Sequence, residues 1–120
     1  MAPRKAAQNC TILPWLSAKG DNREKRFIQL GNTFLLSKAF QTLSAGARYS
    51  YLCMAMEAAG RREFEFPRTS ALKFGIGNSA LRRHVDELTS AGFLEIVAAN
   101  KNLRKPNRYR FALDWKARPP

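Results

Sequence analysis

Acidic residues are scarce in this sequence: nine Asp and Glu stand against 21 Lys and Arg, a formal net charge of +12 over 120 residues. Solubility needs far less, so the imbalance implies a polyanionic partner, nucleic acid first and a membrane surface second. Cysteine is as rare. Cys10 sits in a polar leader and Cys53 in the apolar run YLCMAM, so the two thiols suggest neither a metal-ligand cluster nor a disulfide framework and read as reduced structural residues. No apolar run approaches the roughly 20 residues that span a bilayer, and the N-terminus has no apolar signal segment. The expectation is a soluble cytoplasmic protein with no membrane partner.

What is present suffices for one compact domain, since 45% of the residues are hydrophobic and 120 are too few for two domains of typical size. Residues 1–26 read as a basic, mostly irregular arm carrying Arg4, Lys5, Lys19, Arg23, Lys25 and Arg26 against Asp21 and Glu24. Its ILPWL patch around Trp15 is expected to dock on the domain that follows, because an exposed tryptophan without a partner is unfavourable. That domain is expected over residues 27–116, with 117–120 as a tail.

Within it, FIQL reads as a short strand starting at Phe27, and Leu36, Phe40 and Leu43 then repeat at i, i+4, i+7 as one face of a short helix. Ser44 suits the N-cap of AGARYSYLCMAMEAA, which is apolar nearly all round and is expected to be the central core helix, closed by Gly60. REFEF alternates as a strand with Phe64 and Phe66 on one side. Pro67 suits the first turn of a helix running to about Lys73, and Gly75 the left-handed residue after it. Gly77 and Asn78 restart the chain, Leu81, Val85 and Leu88 form the buried stripe of the next helix, and Gly92 ends it. FLEIVAA and RYRFALDW alternate as a hairpin around the tip NKNLRKPN, with Leu94 and Ile96 on one strand and Tyr109, Phe111 and Leu113 on the other. Phe40, Leu52, Leu81 and Phe111 are expected in the core with Met54 and Met56. The class is α+β, mostly α, with a short strand, three to four helices and a C-terminal β-hairpin.

A helix, a tight glycine turn, a second helix and a hairpin carry a more specific pattern. Ala71, four residues before Gly75, is small where the two helices would cross; Ile76 fills the turn; Gly92, Phe93 and Leu94 lead into the hairpin. On these residues GIGNSALRRHVDELTSAGFLEI resembles the recognition segment of bacterial winged helix-turn-helix DNA-binding proteins. More narrowly, the first strand, the apolar helix and YRFALDW are similar to small winged-helix proteins of phages, plasmids and conjugative elements, and to the N-terminal domains of replication initiators. Gly77 departs from the Ser or Thr N-cap usual in such families. The resemblance implies a double-stranded DNA partner, a hairpin acting as a wing, no cofactor, no catalysis and association with the nucleoid.

With Leu81, Val85 and Leu88 inward, the outward surface of the first turns is Asn78, Ser79, Arg82 and Arg83, followed by Asp86. Arg can contact guanine O6 and N7 with both donors, Asn can pair with adenine, and Ser79 at the helix start can bind phosphate. The plainer alternative is a solvated helix whose arginines pair with Asp86 or Glu87. The tip weighs against it: Lys101, Arg104, Lys105, Arg108 and Arg110 supply five positive charges with no acid among them. Arg108 and Arg110 share a strand face suited to phosphate, while Lys101, Arg104 and Lys105 could follow a neighbouring backbone or enter a minor groove. Lys73 reads equally as a backbone contact or a plain surface lysine.

Catalytic readings find little support. His84 borders the core stripe without a second histidine or an activated serine, Asp86 and Glu87 diverge on their helix, and Glu63 with Glu65 lie on one short strand. The leading expectation is a sequence-specific double-stranded DNA-binding protein, a transcriptional regulator or an origin-binding or replication accessory protein of a mobile element. A homodimer remains open. A second reading is an interaction module whose arm recruits a protein partner through Pro14, Trp15 and Leu16. A third is RNA binding, for which no aromatic stacking platform stands outside the expected core strands.

Overall fold

The computed structural model describes residues 14–16, 26–99 and 107–117. Among them are five α-helices, α1 Asn32–Leu36, α2 Lys38–Gln41, α3 Ala45–Ala58, α4 Arg68–Lys73 and α5 Asn78–Ser90, and three strands, β1 Glu63–Glu65, β2 Leu94–Ala98 and β3 Arg108–Phe111. The fold is α+β and mostly helical. The strands form one antiparallel sheet in the order β1-β3-β2, the last strand lying between the other two. Short 3-10 turns occupy Pro14–Leu16 and Asp114–Ala117.

Helix α3 is central because neighbours cover much of its circumference. Ser44 caps it as expected, its hydroxyl accepting the Ala47 N–H at 3.1 Å, and the chain leaves it through left-handed Ala59 and Gly60. Ala47, Ser50, Cys53, Met54 and Ala58 are buried along its length, mostly small residues, and α5 packs against the helix. On another side Tyr51 meets Phe34, Phe40, Phe93 and Phe111 with ring centroids 5.3 to 6.5 Å apart. Each such pair contributes about 0.5 to 1.5 kcal/mol beyond its area.

The N-terminal part departs from the sequence reading. Residues 27–30 form no strand; without a ladder neighbour, Phe27, Ile28 and Leu30 line a cleft with Ala55 and Phe111 instead. The expected helix through Leu36, Phe40 and Leu43 breaks at Ser37, whose backbone N–H closes α1 on the Phe34 carbonyl while its hydroxyl caps α2 by accepting the Phe40 N–H at 3.2 Å. Serine offers the backbone this alternative to a continuous helix. The break turns Leu36 to solvent and keeps Phe40 and Leu43 buried.

The middle of the chain follows its pattern closely. Phe64 and Phe66 are buried, Pro67 stands at the N-cap of α4, one residue before its first turn, and Gly75 has φ +79. The C-terminal strand is shorter than the alternation suggests. After Phe111 the Ala112 N–H donates to the Phe93 carbonyl at 2.9 Å, and the chain turns so that Trp115 stacks on Phe93 with centroids 5.3 Å apart. Gly92 is required there twice: its φ is +87, and a Cβ would lie 2.9 Å from the Trp115 backbone nitrogen. Leu113 thereby leaves the sheet and is exposed. Ile96 is 47% exposed, beyond the point where the hairpin leaves the core, and Leu52, Met56 and Phe111 are half-buried where the sequence suggested full burial.

Candidate nucleic-acid interface

Helices α4 and α5 meet through a turn whose backbone–backbone bonds are local. The Gly75 N–H reaches the Leu72 carbonyl and the Ile76 N–H the Ala71 carbonyl, both at 2.9 Å. Ala71 and Ile76 are buried under the crossing, as the small residue and the turn filler should be. From α3 the Tyr49 hydroxyl donates to the Phe74 carbonyl at 2.8 Å and ties the turn to the core. Gly77 caps α5 without a side-chain bond. The first backbone N–H groups of the helix therefore have no side-chain cap.

Leu81, Val85 and Leu88 are buried on one side of α5, and Asn78, Ser79, Arg82, Arg83 and Asp86 are exposed on the rest. Neither Arg82 nor Arg83 forms a salt bridge among the described residues. Glu87, the acid offered by helical spacing, turns instead to the start of α3, where its carboxylate accepts the backbone N–H of Ser44 at 2.6 Å and the Ser44 hydroxyl at 2.8 Å. The exposed row thus keeps its positive charge.

Between Arg83 and Val85 the ring of His84 points the other way, toward α3. Its Nδ1 lies 2.8 Å from the Oγ of Ser50, and its Nε2 packs against Gly46. Burial, with Arg83 acting in the same direction and Glu87 opposing, holds its pKa below the ordinary histidine value. Of the two readings the sequence allowed for it, a satisfied boundary histidine or a phosphate contact, this geometry fits the first.

The strand arginines are engaged differently. Arg110 lies between two acids, its Nε and Nη2 donating to Oε2 of Glu63 at 3.2 and 3.1 Å and its Nη1 to Oε1 of Glu95 at 2.8 Å. Arg108 reaches Oε1 of Glu63 at 3.5 Å. Pairing across the strands, Glu63 opposite Arg110 and Glu95 opposite Arg110, brings these charges together. Both arginines lie on one face, as alternation suggested, with part of their charge balanced by the acids. Lys101, Arg104 and Lys105 lie outside the described residues.

Lys73 also has a partner: Glu57 accepts from Lys73 Nζ at 2.9 Å, from Ser70 Oγ at 3.1 Å and from Arg26 at 3.4 Å. The Lys73 bond above all holds the Glu57 carboxyl below its usual range. This knot joins the root of the arm to α3 and α4. Further out, Trp15 is 66% and Leu16 73% exposed, against the expectation that they dock on the domain. The apolar surface at the end of α3 is lined by Phe27, Ile28 and Leu30, the residues just after the arm.

Several participants escaped the sequence reading. Glu57, Glu63, Glu87 and Glu95 each bind a group distant in sequence, and Ser50 and Glu57, polar residues within the largely apolar α3, offered a signal. Among the described residues no group of three or more His, Cys, Asp and Glu is placed to hold a metal ion, and no helix is long and apolar enough to cross a membrane. No protein-family model, curated protein or solved structure matches this chain.

Proposed function

We propose that this chain is a winged helix-turn-helix protein that binds double-stranded DNA sequence-specifically, with α5 as the reading helix and the β2-β3 hairpin as the wing. The observation that carries the reading is the row Asn78, Ser79, Arg82 and Arg83, exposed and outside any salt bridge among the described residues, on a helix locked from behind by Leu81, Val85 and Leu88. The order α3, β1, α4, turn, α5, hairpin and the sheet order β1-β3-β2 support the winged arrangement. The net charge of +12 supplies the sequence-independent part of the affinity through phosphate neutralisation, and the row on α5 supplies the sequence-dependent part. A regulator and an origin-binding or replication accessory protein use the same surface, and the role is fixed by where its site lies. Arg108 and Arg110, held by Glu63 and Glu95, fit backbone contact better than base reading.

Selection of bound duplexes from a random DNA pool tests this directly. An enriched motif is expected, and a two-fold symmetric one would identify a homodimer with half-sites about one helical turn apart. Absence of enrichment, or equal capture of single-stranded RNA, would refute it. The exposure of Trp15 and Leu16 supports a second, separate role for the arm in recruiting a protein partner. Deleting residues 1–23 should abolish such recruitment while leaving the enriched motif unchanged.

A further inference from the structure

Ser50 is a polar residue at full burial in the middle of α3. A hydroxyl there is unfavourable without a partner, and its partner is Nδ1 of His84, 2.8 Å away on α5. The rest of the ring lies over Gly46: a Cβ at that position would sit 2.3 Å from Nε2 and 2.6 Å from Cε1. Alanine is the better helix former, so Gly46 gives up helix propensity to leave space for the imidazole. The ring is bonded at Nδ1 and packed on Gly46 along its Nε2 edge, next in sequence to Arg83 and two residues from Arg82.

We propose that His84 is a positioning residue for DNA reading: seated on Gly46 and bonded to Ser50, it fixes the rotation of α5, and the sequence-specific part of the affinity depends on its ring staying neutral. The proposal rests on DNA being the ligand of α5. In the neutral ring carrying its proton on Nε2, Nδ1 accepts the Ser50 proton. Protonation makes Nδ1 a donor, reverses that bond and leaves the buried hydroxyl proton without its acceptor. It also sets a positive charge against the first turn of α3, the positive end of that helix. The charged groups facing the ring are both on α5: Arg83 disfavours the imidazolium and Glu87 favours it, while Gly46 and Ser50, the contacts from α3, are uncharged. Burial is the largest influence and acts with Arg83. Because the folded pKa lies below the unfolded one, the penalty is absent above about pH 6.5 and grows as pH falls below it.

The chain has one histidine, so its ring resonances are unambiguous in NMR. The experiment titrates His84 in the full chain between about pH 5 and 8 and follows fluorescence anisotropy on a selected duplex and a scrambled one over the same range. The ring should titrate below the ordinary value, and Ser50→Ala should move it upward. Affinity for the selected duplex should drop by about 2- to 30-fold as the ring protonates, the span expected for coupling through a packed contact. Affinity for the scrambled duplex should not drop. His84→Asn keeps an acceptor near the place of Nδ1 and cannot titrate, so it should bind the selected duplex well and lose that pH dependence. Titration at or above the ordinary value, a selected-site affinity equal on both sides of the titration, or unchanged pH dependence in His84→Asn overturns the positioning role alone. Failure to bind any duplex at any pH, with the ring titrating as expected, overturns the DNA reading and the positioning role together.

Discussion

The Glu87 carboxylate closes on Ser44 from 43 positions further along the chain, accepting its backbone N–H at 2.6 Å and its hydroxyl at 2.8 Å. The third turn of α5 thereby caps the start of α3, while the same Ser44 oxygen accepts from Ala47. The backbone bond from Ser44 is the main reason the Glu87 pKa is lowered, and partial burial opposes it. A carboxyl with a depressed folded pKa contributes stability that is present above its unfolded pKa and is lost as pH falls through the folded value.

Glu87→Ala should therefore lower the unfolding free energy by about 1 to 2 kcal/mol at neutral pH, the range for a lost cap and a charged hydrogen bond. Urea unfolding at neutral and at acid pH measures this. The difference between variant and parent should shrink in acid, where the parent's carboxyl is already protonated; an undiminished difference would mean that the carboxylate charge is not what holds Ser44.

Large apolar residues of the helices divide sharply between buried and exposed positions. Met54 and Leu88 are fully buried, whereas Leu72 on α4 is largely exposed. Truncating Met54 or Leu88 to Ala should cost about 2 to 5 kcal/mol. Leu72→Ala should stay within about 0.5 kcal/mol, as surface changes do. Equal losses at Leu88 and Leu72, read from chemical unfolding, would contradict this packing of α4 and α5.

An apolar circumference between Ser44 and Gly60 made α3 legible, and the punctuation of Pro67 and Gly75 made α4 so, while periodicity made α5 legible through its stripe of Leu81, Val85 and Leu88. The strand pattern of Phe64 and Phe66, and of Leu94 and Tyr109, was legible for the same reason. What stayed hidden depended on partners distant in sequence. FIQL alternates like a strand, yet no ladder neighbour reaches residues 27–30. Ser37 looks like any helix residue until its hydroxyl caps α2. At the candidate interface, helical phase exposed Asn78, Ser79, Arg82 and Arg83, but nothing in the local spacing paired Glu87 with Ser44 or Glu63 with Arg110.

That last pair makes a prediction of its own. The Arg110 and Glu63 side chains are 37% and 40% exposed, so solvent screens their attraction. Glu63→Gln should cost less than about 1 kcal/mol of stability. It should also release Arg108 and loosen Arg110, which keeps its bond to Glu95, and so strengthen binding to selected and scrambled duplexes alike. Weakened binding would show that Glu63 presents the arginines rather than restraining them.

The tip residues Lys101, Arg104 and Lys105 should act through charge without sequence preference. Replacing all three by Ala should reduce affinity for every duplex and lower the slope of log affinity against log salt by up to about 3, near one unit per lost phosphate contact. Binding curves at several salt concentrations give the slope. An unchanged slope would remove the tip from the interface.

Arg82 is where specificity should concentrate, because the stripe of Leu81, Val85 and Leu88 fixes its direction on α5. The decisive measurement is the affinity of Arg82→Ala, by fluorescence anisotropy, for a selected duplex and its scrambled counterpart. A loss of about 1 to 3 kcal/mol on the selected site with a much smaller loss on the scrambled one is expected, compressing the ratio between them. Equal weakening on the two duplexes would contradict the placement of α5 against base edges and would leave Arg82 as one more phosphate contact.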